Sequence, residues 1–337
     1  MENEMKRVYI DKDAKRYKAN LHTHTTFSDG RLTPEEIKRE YAKRGYSVVA
    51  FTDHEHIISH SHLTDESFLA ITGCEVAVKE FAEQSTLKNF GMRVTHLNFY
   101  ALDPENTLTP CYNSVYDHFI KPEFFHLIKK DGEFERQYSA DGINEIIRRA
   151  NEAGFIVSYN HPTWSLENAC DYLNYDGLFA VEIYNHGAYR GIGFDDERVL
   201  DDFWRAGKPL LCTACDDCHR VLPDDENTDA FGGWVWISAR SLSYKDVMNA
   251  LVRGDFYASC GPEIKSLIVE DEVVKIEFSD CVSANLITSG RRTDFAAARQ
   301  GETLNYAEFP LRESDGYFRI TVTDERGKKA WSQVYEI

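Results

Sequence analysis

Residues 46–52 read YSVVAFT and run directly into residues 53–56, DHEH. The run has the length of a strand, and its unbroken apolar centre suits a strand buried on both faces, as in a parallel sheet. The polar cluster then falls at the carboxyl end of that strand, where parallel α/β folds keep their functional groups. Just upstream, Thr33-Pro34-Glu35-Glu36 opens a helix. Thr serves as N-cap, Pro takes the first turn, and Glu36 lies three residues after the cap. That helix is expected to reach about Arg44 and to stop at Gly45.

The same alternation continues in both directions. Strands are expected at 18–24, 68–78, 94–102, 155–159, 178–184 and 209–213, which with 46–52 makes seven. Residues 141–153 and 195–206 read as helices; Ile143, Ile146, Ile147 and Ala150 share one face of the first. A further strand is expected at 234–238, a further helix at 244–252, and a short N-terminal strand at Val8-Tyr9-Ile10. Residues 103–138 break the rhythm and read as an insertion or lid. The expected fold is therefore α/β, a largely parallel sheet or barrel. Past residue 260 the texture changes to short alternating segments split by turn residues, a small antiparallel all-β domain over 261–337. Residues 1–260 form the expected barrel unit, with the insertion reaching about 140.

Length and charge narrow the function. A chain of 337 residues with 42% apolar residues can bury one large unit and a smaller module. Its formal net charge of -18 argues against a long nucleic acid as partner. A small anionic substrate stays open, because bound cations reverse the local field. The N-terminal residues carry no apolar leader and no run approaches membrane-spanning length, so the expected location is the cytoplasm, with no membrane partner. Eight scattered cysteines suit a reducing compartment. Cys215-x-x-Cys218 lacks the second such pair that a zinc knuckle needs.

Residues 21–30, LHTHTTFSDG, hold the densest chemistry. On a strand, His22 and His24 point to one side. Two imidazoles with a carboxylate nearby, here Asp29, are a ligand set for a divalent metal. Other expected strands end in or contain similar residues: His54, Glu75, His96, His161, and Asp217-x-His219, which repeats the spacing of His22-x-His24. Chance seldom places ligand-type residues at nearly every strand.

Taken together these motifs resemble the polymerase and histidinol phosphatase (PHP) family over roughly residues 19–260. LHTHTTFSDG is similar to its first motif and FTDH to its second. The Glu of ITGCEV, the His of VTHLNFYAL, the His of YNHP and the DxH of ACDDCH are similar to the rest. The resemblance implies a distorted (β/α)7 barrel of TIM-like type and a trinuclear site. His22, His24, Glu75 and Asp217 would hold one metal. Glu75 would bridge to a second, held also by His96 and His161. Asp29, His54 and His219 would hold a third. Asp29, Glu75, Asp217 and His219 count as catalytic. Cys215-Asp216 stands where the family usually has small residues; Asp217 is taken as the ligand because it alone has the i, i+2 spacing to His219.

Clustered divalent cations lower the pKa of a bridging water, yielding a hydroxide nucleophile, and neutralise charge building on phosphoryl oxygens. The donor set suits zinc, manganese or iron. The expected activity is metal-dependent hydrolysis of a small phosphorylated molecule. A carbamate, amide or ester hydrolase using the same site, and a non-catalytic metal-binding regulatory module, are the alternatives. Substrate contacts are expected from Arg190, Arg220, Asn185 and Trp164, with His186 beside Asn185. Asp53 is expected to hydrogen-bond a ligand, and His56, His60 and His62 to form a solvated loop. The C-terminal strands suit a partner surface, a cover for the site or a homo-oligomer contact.

Overall fold

The computed structural model describes residues 6–80, 92–221 and 227–337. The chain opens with β1 (Arg7–Ile10) and β2 (Arg16–Asn20), then α1 (Pro34–Ala42) and β3 (Tyr46–Phe51). Thr33 and Glu36 form the expected capping box on α1, and Gly45, at φ +77°, turns the chain into β3. β4 (Leu69–Lys79) and β5 (Val94–Ala101) follow, then two-residue strands β6 (Leu108–Thr109) and β7 (Lys129–Lys130) inside the insertion. α2 (Ala140–Glu152) buries Ile143, Ile146, Ile147 and Ala150, as their spacing predicts. β8 (Phe155–Tyr159), α3 (Ala169–Tyr172), β9 (Ala180–Asn185), α4 (His186–Ile192), α5 (Glu197–Arg205) and β10 (Leu211–Cys215) complete the repeat.

β2, β3, β4, β5, β8, β9 and β10 are neighbours in that order in one sheet. Six of the seven run parallel to their flanking partners where those partners are also forward strands. β5 is reversed and pairs antiparallel with both β4 and β8. The reversal explains the odd position of His96 near the start of its strand. The amino end of a reversed strand lies beside the carboxyl ends of its parallel neighbours.

The expected closed barrel is not formed as a hydrogen-bonded ring. β11 (Trp234–Ser238) takes the free edge of β2, pairing antiparallel with it, and so denies that edge to β10. An isolated parallel bridge, Thr23 to Cys218, links the two sides beyond the strand ends. After α6 (Tyr244–Arg253), β12 (Phe256–Ser259) carries the same sheet into the C-terminal strands through β19.

Those C-terminal strands are β13 (Ile264–Glu270), β14 (Val273–Cys281), β15 (Ser283–Thr288), β16 (Thr293–Ala297), β17 (Leu304–Pro310), β18 (Tyr317–Thr323), β19 (Lys329–Trp331) and β20 (Tyr335–Glu336). All their pairings are antiparallel. β1 pairs with β13, so the first strand of the chain belongs to the sheet of β13, β14 and β17. That sheet faces the other across a core of Ile10, Leu267, Ile276, Phe278, Leu286, Phe309 and Ile320. A larger core, with Val48, Ile71, Phe99, Ile146, Val157 and Val181, fills the α/β part.

The two parts are locked by charge as well as by the sheet. Arg319 of β18 lies buried against Asp201 (2.9 Å) and Glu197 (2.5 Å) of α5, and Lys329 reaches Asp195 (2.8 Å). In the insertion, buried Arg136 pairs with Glu55 (2.7 Å) and donates to the carbonyls of Ala77 and Cys111. No helix among the described residues is long and apolar enough to cross a membrane.

Candidate metal centre

β2 ends at Asn20, short of the expected 18–24, so His22 and His24 lie just beyond the observed strand. Their common direction has another cause. The Thr23 amide donates to the Thr52 hydroxyl (2.9 Å) and the Thr52 amide to the Thr23 carbonyl (2.9 Å). On the other side the His24 amide donates to Cys218 and the Asp217 amide to His22. Held from both sides, the segment keeps an extended pleat after its ladder has ended.

Asp53 shapes the next turn. Its carboxylate accepts from the amides and hydroxyls of both Thr25 and Ser28, at 2.7–3.1 Å. These bonds deliver Asp29 to the site; Asp53 itself caps the turn rather than bonding a histidine ring.

The nine expected side chains converge. The Nε2 atoms of His22 and His24 are 3.2 Å apart, and Asp217 Oδ1 lies 3.2 and 3.0 Å from them. Glu75 Oε1 is 3.3 Å from His22 Nε2, 2.9 Å from His96 Nδ1 and 3.2 Å from His161 Nε2. Asp29 stands 3.6–3.7 Å from His24 Nδ1, His54 Nε2 and His219 Nε2. They form three groups: His22, His24, Glu75 and Asp217; Glu75, His96 and His161; and His24, Asp29, His54 and His219.

Donors bound to one cation at about 2.0–2.2 Å in a tetrahedral array lie roughly 3.4 Å from each other. The observed separations of 2.9–3.7 Å fit that spacing. The buried ring nitrogen His24 Nδ1 has no hydrogen-bond partner, while His54 Nδ1 stands 3.1 Å from Glu75 Oε2. An unpaired buried imidazole nitrogen is costly unless something binds its lone pair. Burial, with the neighbouring imidazoles, lowers the pKa of His24 to about 4; burial also takes His54 to about 4, so both rings are neutral donors near pH 7. Burial opposes ionisation of Glu75, yet His96 and His22 hold its carboxyl well below the ordinary range. The residues present therefore suit divalent cations.

Two site residues, Asp217 (φ +54°) and His161 (φ +26°), have left-handed backbones, a strain that persists only where surroundings impose it. Asp216 points away from the site. Its carboxylate accepts from the amides of Phe231, Gly232 and Gly233 and from the Tyr41 hydroxyl, and burial raises its pKa to about 6.

A cleft of about 380 Å³ opens beside Asp217 and His219, lined also by Trp164, Arg190, Arg220 and Asp229. Three of the four expected substrate residues thus line one space. Asn185 does not: it donates to Asp217 Oδ2 (3.1 Å) and caps α4 through the Ala188 amide. His186 bonds the Tyr184 hydroxyl. The solvated-loop expectation for His56, His60 and His62 fails for two of them. His56 and His60 are buried, His56 against Tyr112 and Asp117 of the insertion and His60 between Phe27 and Phe51. Phe119 of the insertion lies on the His54 ring, centroids 4.6 Å apart.

Sequence reasoning missed the role of Glu182. It accepts from His22 Nδ1, the signal being a lone carboxylate in the apolar strand LFAVEIY.

Among curated proteins, none matches this sequence. Three solved structures are similar over long stretches. A two-domain protein from Bacteroides vulgatus containing a candidate PHP-like metal-dependent phosphoesterase is 13% identical, with TM-score 0.49, covering 100% of this chain and 98% of that one. A candidate metal-dependent phosphoesterase from Bifidobacterium adolescentis is 16% identical (TM-score 0.41; 72% and 97% covered). An amidohydrolase from Chromobacterium violaceum with bound sulfate and no metal is 16% identical (TM-score 0.37; 60% and 87% covered). Likenesses of this size carry no weight for function. Residues 20–158 match the family model of the PHP domain.

Proposed function

We propose that the chain is a metal-dependent phosphoesterase acting on a small anionic molecule, with His22, His24, Asp29, His54, Glu75, His96, His161, Asp217 and His219 holding up to three divalent cations. The single observation that carries this reading is the convergence of nine donors into three groups that share Glu75 and His24. Bound zinc, manganese or iron would supply an activated water and neutralise phosphoryl charge.

The chain's own residues do the rest. Arg190 and Arg220 line the cleft beside Asp217 and His219, and guanidinium groups suit phosphoryl oxygens. Asp229 accepts from the amides of His219 (3.0 Å) and Arg220 (2.8 Å), fixing both residues on one short backbone arc. Trp164, 47% exposed, packs on His161 and His96 (centroids 4.9 and 5.5 Å) and shields those rings from water at the cleft wall. A cytoplasmic location and a homo-oligomeric state complete the proposal.

The test is phosphate release from a panel of sugar, nucleoside and amino-alcohol phosphates by protein reconstituted with manganese, zinc or iron. Phosphate release is expected. Turnover only of carbamates, amides or carboxylic esters overturns the phosphoester assignment. Less than one metal per chain after supplementation would place the protein with non-catalytic modules.

A further inference from the structure

We propose that Glu182 is a positioning residue that holds two of the three donor groups in register. The proposal rests on the reading that those groups bind metal. Glu182 lies in β9 with 1% of its surface exposed. Four donors meet its two oxygens. Oε1 accepts from His22 Nδ1 (2.8 Å) and from the Cys215 thiol (2.9 Å). Oε2 accepts from the His161 amide (3.1 Å) and from Asn185 Nδ2 (3.0 Å).

Each contact acts on a different part of the centre. The bond from His22 Nδ1–H leaves Nε2 as the lone-pair nitrogen, and Nε2 is the atom 3.2–3.3 Å from Asp217 and Glu75. A carboxylate behind a ligating imidazole fixes the tautomer and the ring plane. The bond from the His161 amide restrains the residue whose backbone is held at φ +26°. Asn185, tied to Oε2 by one amide hydrogen, reaches Asp217 Oδ2 (3.1 Å) with the same group. Glu182 stands outside the nine expected ligands, though with His22 and Cys215 it makes a further group of donor atoms, and it bonds His22 and His161 directly and Asp217 through Asn185.

A glutamine has the same shape but only one acceptor end. With four donors converging, E182Q must set its NH2 against two of them in either orientation. The experiment compares wild type with E182Q by zinc titration of metal-free protein against a chromophoric chelator. A 10- to 100-fold loss of zinc affinity is expected; affinity within twofold of wild type overturns the proposal. A second readout is the ring N–H of His22 in protein with 15N-labelled histidine, assigned by its loss in His22→Gln. A slowly exchanging Nδ1–H is expected in wild type with or without zinc, and its loss of protection in E182Q. A wild-type His22 bearing its proton only on Nε2 overturns the proposal even if E182Q does not fold. If wild type takes up no zinc while the protected Nδ1–H is present, the metal reading fails and the positional one for His22 stands.

Discussion

The side-chain amide of Gln333 bonds both backbone groups of Cys212, accepting from its N–H (2.8 Å) and donating to its carbonyl (3.0 Å). Cys212 lies in β10, the edge at which the expected barrel fails to close. One side chain thus stands in for a missing strand partner on an otherwise open edge. Gln333→Ala leaves two buried backbone groups unpaired and should cost about 2–4 kcal/mol. Urea unfolding monitored by circular dichroism checks it; an unmoved midpoint would show that the edge is satisfied in another way.

Asp217 and Asp216 are adjacent, yet substitutions should separate cleanly. Asp217→Ala should abolish hydrolysis and lower metal content while leaving the melting temperature of metal-free protein close to wild type; His22→Ala should abolish hydrolysis too. Asp216→Ala strips acceptors from three amides and should destabilise by several kcal/mol. Wild-type-like turnover by either the Asp217 or the His22 variant refutes the site assignment.

Arg190→Ala and Arg220→Ala should raise KM for a phosphorylated substrate by roughly 10-fold or more each, the effect of losing a charge-assisted hydrogen bond. Metal content should not change, since neither residue belongs to a donor group. Steady-state kinetics with parallel metal analysis decides it; an unchanged KM for both removes these arginines from substrate binding.

Glu197 supplies a pH signature. Burial alone would raise its pKa, but Arg319 and Lys329 hold it at about 2, against an ordinary value of 4.5. The folded value is depressed, so its contribution is present above about pH 4.5 and lost as pH falls towards 2. Two to three pKa units correspond to roughly 3 kcal/mol. Glu197→Gln should flatten the acid limb of the stability curve between those values. A limb identical to wild type would mean that the pair is not formed in solution.

Much of the site was legible because its chemistry is local. H-x-H, D-x-H and a lone Glu or His within an apolar strand are visible without knowing how strands pair. The insertion's packing was not legible: Arg136 reaches Glu55 across some eighty residues of sequence, and no periodicity announces such a partner. That burial is why His56 was misread. The open barrel was missed for a similar reason. The strand 234–238 was expected, but its hydrophobic pattern does not say that it claims the free edge of β2. The role of Asp53 was half visible, since a carboxylate after a strand can serve a ring or a turn, and only the geometry of Thr25 and Ser28 chooses.

β1 has a consequence for how the chain is made. Arg7 pairs with Val269, some 260 residues later. At roughly 5–20 residues per second of synthesis, the N-terminal strand leaves the ribosome tens of seconds before its partner exists. Through that interval it presents Tyr9 and Ile10 with an unpaired backbone. The lysines and aspartates around it, Lys6, Asp11, Lys12 and Asp13, are the charged flanks that keep such a waiting strand from pairing with another nascent chain.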